Sequence, residues 1–196
     1  MYRFVLLSVL TFLTALAPEP SSAASVMDAT TYDRYVGRPE APRAMVVYSS
    51  PTCSHCVDFE RQVLPEIQRR YVDTGQFRIA YRPYLRNAID AVIFMVVESV
   101  DNAKKEKTFA AFTSRYEEII QSHERERLLR QISADVGIDN ATFDQVVANQ
   151  AVLDKLNQIT ERAGQEFDVE GTPAFFLDGK QVRNDGTIHP FEDLME

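Results

Sequence analysis

The chain has two cysteines, and only two residues separate them, in Cys53-Ser54-His55-Cys56. A disulfide across so short a span closes almost no loop. It takes little entropy from the unfolded chain and is a poor structural staple. A closed structural zinc site needs four ligands. The three histidines, His55, His123 and His189, do not join the pair at a recurring ligand spacing. The pair therefore reads as a redox couple, with metal binding and a purely structural bridge as the weaker readings.

The residues around the pair set its place in a fold. Ala44 to Ser49 (AMVVYS) is apolar and β-branched and runs into Ser-Pro, the pattern of a buried strand ending at a loop. A helix is expected from Cys53, because Phe59, Val63, Ile67 and Tyr71 recur every four residues and form one apolar face. Pro65 lacks a backbone donor and predicts a kink, and Gly75 offers an end. Phe77 to Tyr81 alternates like a second strand. Residues 88 to about 168 read as helical, with helices over Ala88–Val100, Thr108–Gln121, Glu124–Val136, Asn140–Asn149 and Val152–Phe167, and Gly137 as a C-cap. Ala174 to Leu177 then returns to strand, Asp178-Gly179 is a two-residue hairpin turn, and Lys180 to Arg183 pairs back. A short closing helix is expected from His189. A helical block thus interrupts an α/β unit.

The first residues read as an export leader. Arg3 supplies one positive charge, Phe4 to Ala17 is uncharged and apolar, and Pro18 to Ser25 is small and polar, with cleavage points at Ala17, Ala23 and Ala24. The apolar run is shorter than the ~20 residues of a spanning helix. Residues 1–24 are therefore expected to be a cleaved signal peptide, and residues 25–196 one domain. The net charge of −8 argues against a nucleic-acid ligand.

The thiolate is the attacking form of cysteine, so a redox cysteine works best with a lowered pKa. Cys53 at a helix start would face unpaired backbone N–H groups, and a protonated His55 in the same turn would favour the anion. Cys56, one turn further in, is expected to be the more buried, resolving thiol.

With these motifs in order, the chain resembles the DsbA-like branch of the thioredoxin superfamily. The resemblance rests on the lead-in Gly37-Arg38-Pro39-Glu40-Ala41-Pro42, on Cys53-Ser54-His55-Cys56 after a strand, and on the long helical segment. Gly171-Thr172-Pro173-Ala174-Phe175-Phe176-Leu177-Asp178-Gly179-Lys180 completes it. It covers roughly residues 35–195. It implies an α/β thioredoxin fold with an inserted α-helical domain at about 87–150. It also implies a cis bond before Pro173, with Thr172 and Pro173 binding substrate backbone as an added strand beside Cys53.

The implied activity is thiol–disulfide exchange in the periplasm, most directly as a dithiol oxidase of reduced or unfolded exported proteins. A DsbB-type membrane partner would reoxidise the pair. No cofactor or metal is implied, and a monomer is expected. A reductase or isomerase of the same fold is the alternative, and a copper(I) carrier using the two thiolates and His55 a more distant one. Two departures stand out. Ser54 replaces the proline usual between the cysteines of strong oxidases, which bears on redox potential. Val47 stands six residues before Cys53, where family members often carry a buried acid that moves the proton of the second cysteine.

Overall fold

The computed structural model describes residues 25–183, 187–188 and 191–192. The expected leader at 1–24 lies outside the described residues. Of the expected closing helix only Phe191 and Glu192 are described, and both are helical.

Five strands form one mixed sheet in the order β1-β3-β2-β4-β5. They are β1 (Arg34–Val36), β2 (Arg43–Ser49), β3 (Phe77–Pro83), β4 (Ala174–Leu177) and β5 (Lys180–Val182). β2 and β3 run parallel, with Val47 opposite Tyr81; the other pairs are antiparallel. The short β1 was not expected, since three residues carry too little periodicity to register. Asp178 and Gly179 take positive φ of 48° and 85° at the β4–β5 turn, as a two-residue hairpin requires.

A continuous helical stretch connects β2 to β3. It comprises α1 (Ser54–Asp58), a π-helical turn (Phe59–Val63), α2 (Leu64–Ile67) and a second π-helical turn (Gln68–Val72). The spacing of its apolar residues accounts for this. At 3.6 residues per turn, a strict step of four drifts by about 40° each time. The wider π turns, with their i→i+5 bonds, take up that drift, and Phe59, Val63 and Ile67 all reach the core. Pro65 is accommodated in the first turn of α2, between the two wide turns, and Gly75 closes the stretch at φ +77°.

Between β3 and β4 lie α3 (Ala88–Glu98), α4 (Asn102–Thr113), α5 (Tyr116–Gln121), α6 (Arg125–Asp135), α7 (Asn140–Val147) and α8 (Gln150–Phe167). The single helix expected over Thr108–Gln121 is corrected to two. α4 starts earlier, in the charged run after Asp101, and ends at Thr113, before α5 begins at Tyr116. Its charged first turn hid it from a reading based on apolar periodicity. Gly137 follows α6 at φ +92°, the left-handed position a C-cap needs.

Side chains alternate along the central strands and feed two cores. Met45, Val47, Ile79, Tyr81, Phe175 and Leu177 pack with Phe59, Val63, Ile67 and Phe191 on one face. Val46, Tyr48, Ala80, Ala174 and Phe176 pack with Val26, Ala163 and Val169 on the other. A third core lies inside the helical block around Ile93, Phe94, Phe109, Phe112 and Leu156. This is a thioredoxin fold with an inserted helical domain. No helix among the described residues is long and apolar enough to cross a membrane.

Candidate active site

Cys53 occupies the N-cap of α1, at the end of the loop leaving β2. Both cysteines are free thiols, and both are buried, Cys53 at 3% and Cys56 at 2% exposure. Access alone therefore does not separate them; electrostatics does. The Cys56 N–H points at Cys53 Sγ at 3.4 Å, and the Cys53 thiol lies 3.3 Å from the Thr172 carbonyl oxygen. The Cys56 thiol, the Thr172 side chain, the Cys56 N–H and the Arg86 charge outweigh burial and bring Cys53 down to about 5 from an ordinary value near 9. Burial, and the hydrogen bond and negative charge of Cys53, push Cys56 far up. The two thiols thus divide into a ready thiolate and a retained proton.

The bond between Thr172 and Pro173 is cis. Its loop runs into β4, whose pairing with β2 begins at Ala174 opposite Tyr48. Thr172 and Pro173 are half-buried beside Cys53, and the Thr172 hydroxyl is buried with no hydrogen-bond partner of ordinary geometry among the described residues. A polar cavity of about 590 Å³ flanks the loop, lined by Asp168, Glu170, Gly171, Thr172 and Gln181 among others.

Ser54 and His55 are exposed on the first turn of α1. The leading groups that lower Cys53 are Cys56, Thr172 and Arg86, which reach it from within the fold. Among the described residues no group of three or more His, Cys, Asp or Glu side chains is placed to hold a metal ion.

Sequence reading missed the support beneath the loop. Asp90, fully buried in the first turn of α3, accepts hydrogen bonds from Ser50 Oγ at 2.8 Å, Thr52 Oγ1 at 2.7 Å, the Thr52 N–H at 3.2 Å and the Arg86 N–H at 2.9 Å. Asn87 Nδ2 donates to Thr52 Oγ1, and Arg86 Nη1 to the Thr52 carbonyl. One signal was available: an acid set inside the apolar run AIDAVIFMVV. Glu60 was also missed. It stands one turn beyond Cys56, and burial raises its carboxyl to about 7. At Val47 there is only apolar core, as its side chain dictates.

A cysteine pair at a helix start, one thiol acidified and the other not, beside a cis-proline loop, is an arrangement suited to thiol–disulfide exchange. Comparison with known proteins agrees. The thioredoxin family model matches residues 29–196. A Rickettsia conorii protein named as a protein-disulfide oxidoreductase is 26% identical over 78% of this chain. The chain spans about 55% of that relative's length. The crystal structure of Wolbachia pipientis alpha-DsbA1 superposes with a TM-score of 0.76 at 21% identity, covering 86% of this chain and 92% of that one. A protein-disulfide isomerase from Novosphingobium aromaticivorans gives 0.72 at 24% identity, covering 83% and 95%. The chain belongs to the thioredoxin family.

Proposed function

We infer that the chain is an exported dithiol oxidase that introduces disulfides into reduced or unfolded periplasmic proteins. The observation that carries this reading is the acidified Cys53 above a proton-retaining Cys56. Stabilising one thiolate favours the reduced enzyme, and a disulfide whose reduced form is stabilised is an oxidant.

In the cycle that follows, a substrate thiolate attacks Cys53 Sγ of the Cys53–Cys56 disulfide. The S–S bond breaks, a substrate–Cys53 disulfide forms, and Cys56 leaves with the electron pair and takes up a proton. A second substrate thiolate attacks the substrate's own sulfur in the mixed disulfide and expels the Cys53 thiolate. The substrate loses two electrons and the enzyme gains two. A DsbB-type membrane partner then takes those electrons. Thr172 and Pro173 hold substrate backbone as an added strand, and Ser54 and His55 set the potential from the helix start.

The deciding experiment is equilibration of the pair with glutathione buffers. An oxidase lies well above thioredoxin, toward the value of about −120 mV for DsbA; a value near −270 mV identifies a reductase. Cys56→Ser is expected to accumulate substrate mixed disulfides at Cys53.

A further inference from the structure

A disulfide is attacked by a thiolate, so the field around the entry sulfur bears on which thiols reach it. The chain as a whole opposes an anion, with a net charge of −8. The cavity beside the cis-proline loop carries the carboxylates of Asp168 and Glu170 together with Arg183. Against that background one cation is fixed at the redox loop. Arg86 stands in the connection from β3 to α3, with its side chain exposed. Its backbone N–H is held by the Asp90 carboxylate at 2.9 Å, and its Nη1 donates at 3.3 Å to the carbonyl of Thr52, the residue before Cys53. The next residue, Asn87, caps α3 and donates to Thr52 Oγ1 at 2.8 Å. Arg86 is thus clamped to the redox loop through both its backbone and its guanidinium. Arg34, Arg61 and Arg82 each pair with a carboxylate, whereas Arg86 makes no ion pair among the described residues. Its charge is left for whatever approaches Cys53, and its influence already reaches that sulfur, which it helps to acidify.

We propose that Arg86 is a specificity-determining residue of the exchange reaction: it favours thiols that carry a further negative charge and, in protein substrates, cysteines that stand beside Asp or Glu. The incoming thiolate attacks Cys53 Sγ, the Cys53–Cys56 bond breaks, and Cys56 leaves with the electron pair and takes up a proton. Through this step a carboxylate on the attacking molecule lies in the field of the guanidinium and is drawn in, while an ammonium group is repelled. The Asp90 and Thr52 contacts hold the guanidinium at the loop beforehand, so the attraction is in place before the substrate arrives. An arginine that served only to hold Thr52 through its hydrogen bond would treat all thiols alike.

This preference rests on the redox reading of Cys53 and Cys56, and it holds for either direction of electron flow. The test is the rate at which mercaptoacetate, mercaptoethanol and cysteamine reduce the oxidised full-length protein at low ionic strength, each rate corrected for the fraction of thiol ionised. Two cysteine peptides that differ only in Asp or Lys beside the cysteine supply a second ratio. Other charges of the protein contribute to the wild-type ratios, so the readout is their change on substitution. A single exposed charge contributes about threefold in each direction, so the mercaptoacetate-to-cysteamine ratio should fall by about tenfold in Arg86→Gln. The Asp-to-Lys peptide ratio should fall with it, and mercaptoethanol should lie between the two charged thiols. Arg86→Lys should keep most of both ratios, and high salt should bring the wild-type ratios toward those of Arg86→Gln. Unchanged ratios in Arg86→Gln overturn the assignment, and so does an equal slowing by every thiol, which marks a loop-holding role. Ratios lost in Arg86→Lys as fully as in Arg86→Gln overturn it too, because charge alone is then not the cause. A wild type that no thiol reduces rejects the redox reading and this preference together. A wild type reduced by all of them, with ratios unmoved in Arg86→Gln, rejects this preference alone.

Discussion

The Asp90 carboxylate accepts both the hydroxyl and the backbone N–H of Thr52, at 2.7 and 3.2 Å, so the first turn of the helical insertion grips the residue just before Cys53. The redox loop is therefore anchored from below by α3 as well as by its own strand and helix.

Replacing Asp90 with Ala leaves the Ser50 and Thr52 hydroxyls and the Thr52 and Arg86 N–H groups without their common acceptor. Bonds to a charged group contribute about 1.5–3 kcal/mol each, and orphaned donors are costly. A loss of about 3 kcal/mol or more in unfolding free energy is expected from denaturant titration. A loss below about 1 kcal/mol would mean that the loop holds itself.

In the reduced protein, iodoacetamide is expected to modify Cys53 with a half-point near pH 5 and to leave Cys56 largely unmodified at neutral pH. Peptide mapping by mass spectrometry reads both sites; labelling of Cys56 ahead of Cys53 would reverse their roles.

The same shift links stability to pH. Cys53 is depressed in the folded, reduced protein from near 9 to about 5. Its contribution is complete above about pH 9, shrinks as pH falls, and vanishes below about 5. The advantage of the reduced over the oxidised protein should therefore grow between pH 5 and 9. Denaturant melts of both forms across that range check this, and a pH-independent difference would argue against an acidified Cys53.

Thr172→Val removes a hydroxyl that favours the anion of both thiols while nearly preserving shape. The Cys53 titration, followed by thiolate absorbance, should move upward and the disulfide should become less oxidising. A tenfold loss of thiolate preference corresponds to about 30 mV. An unmoved titration would leave the lowering to the Cys56 thiol and N–H and the Arg86 charge.

Asp33 and Arg82 form a buried ion pair, with the Arg82 guanidinium also donating to the Val26 and Asp28 carbonyls. Asp33→Ala strands a buried cation and is expected to cost about 3–5 kcal/mol. Calorimetric or denaturant unfolding reads the loss, while the reduction potential of the distant thiols should stay put.

Much of this protein is local and so lay open in the residues themselves. Alternation and β-branching marked β2, β3 and β4, Asp178-Gly179 marked the hairpin, and the four-residue recurrence from Phe59 marked the redox helix. The CxxC pair and the Thr172-Pro173 loop were legible as motifs, although a hundred residues apart. What no local pattern carries is which distant side chains meet. Only the packed sheet sets Tyr81 beside Val47 and opposite Arg34. Only the docking of α3 brings Asp90 under Thr52. The acidity of Cys53 likewise comes from Cys56, Thr172 and Arg86 converging in space, with Ser54 and His55 left on the surface. Periodicity is written along one chain segment; burial and the electrostatic fields that tune a thiol arise where several segments close on the same few ångströms.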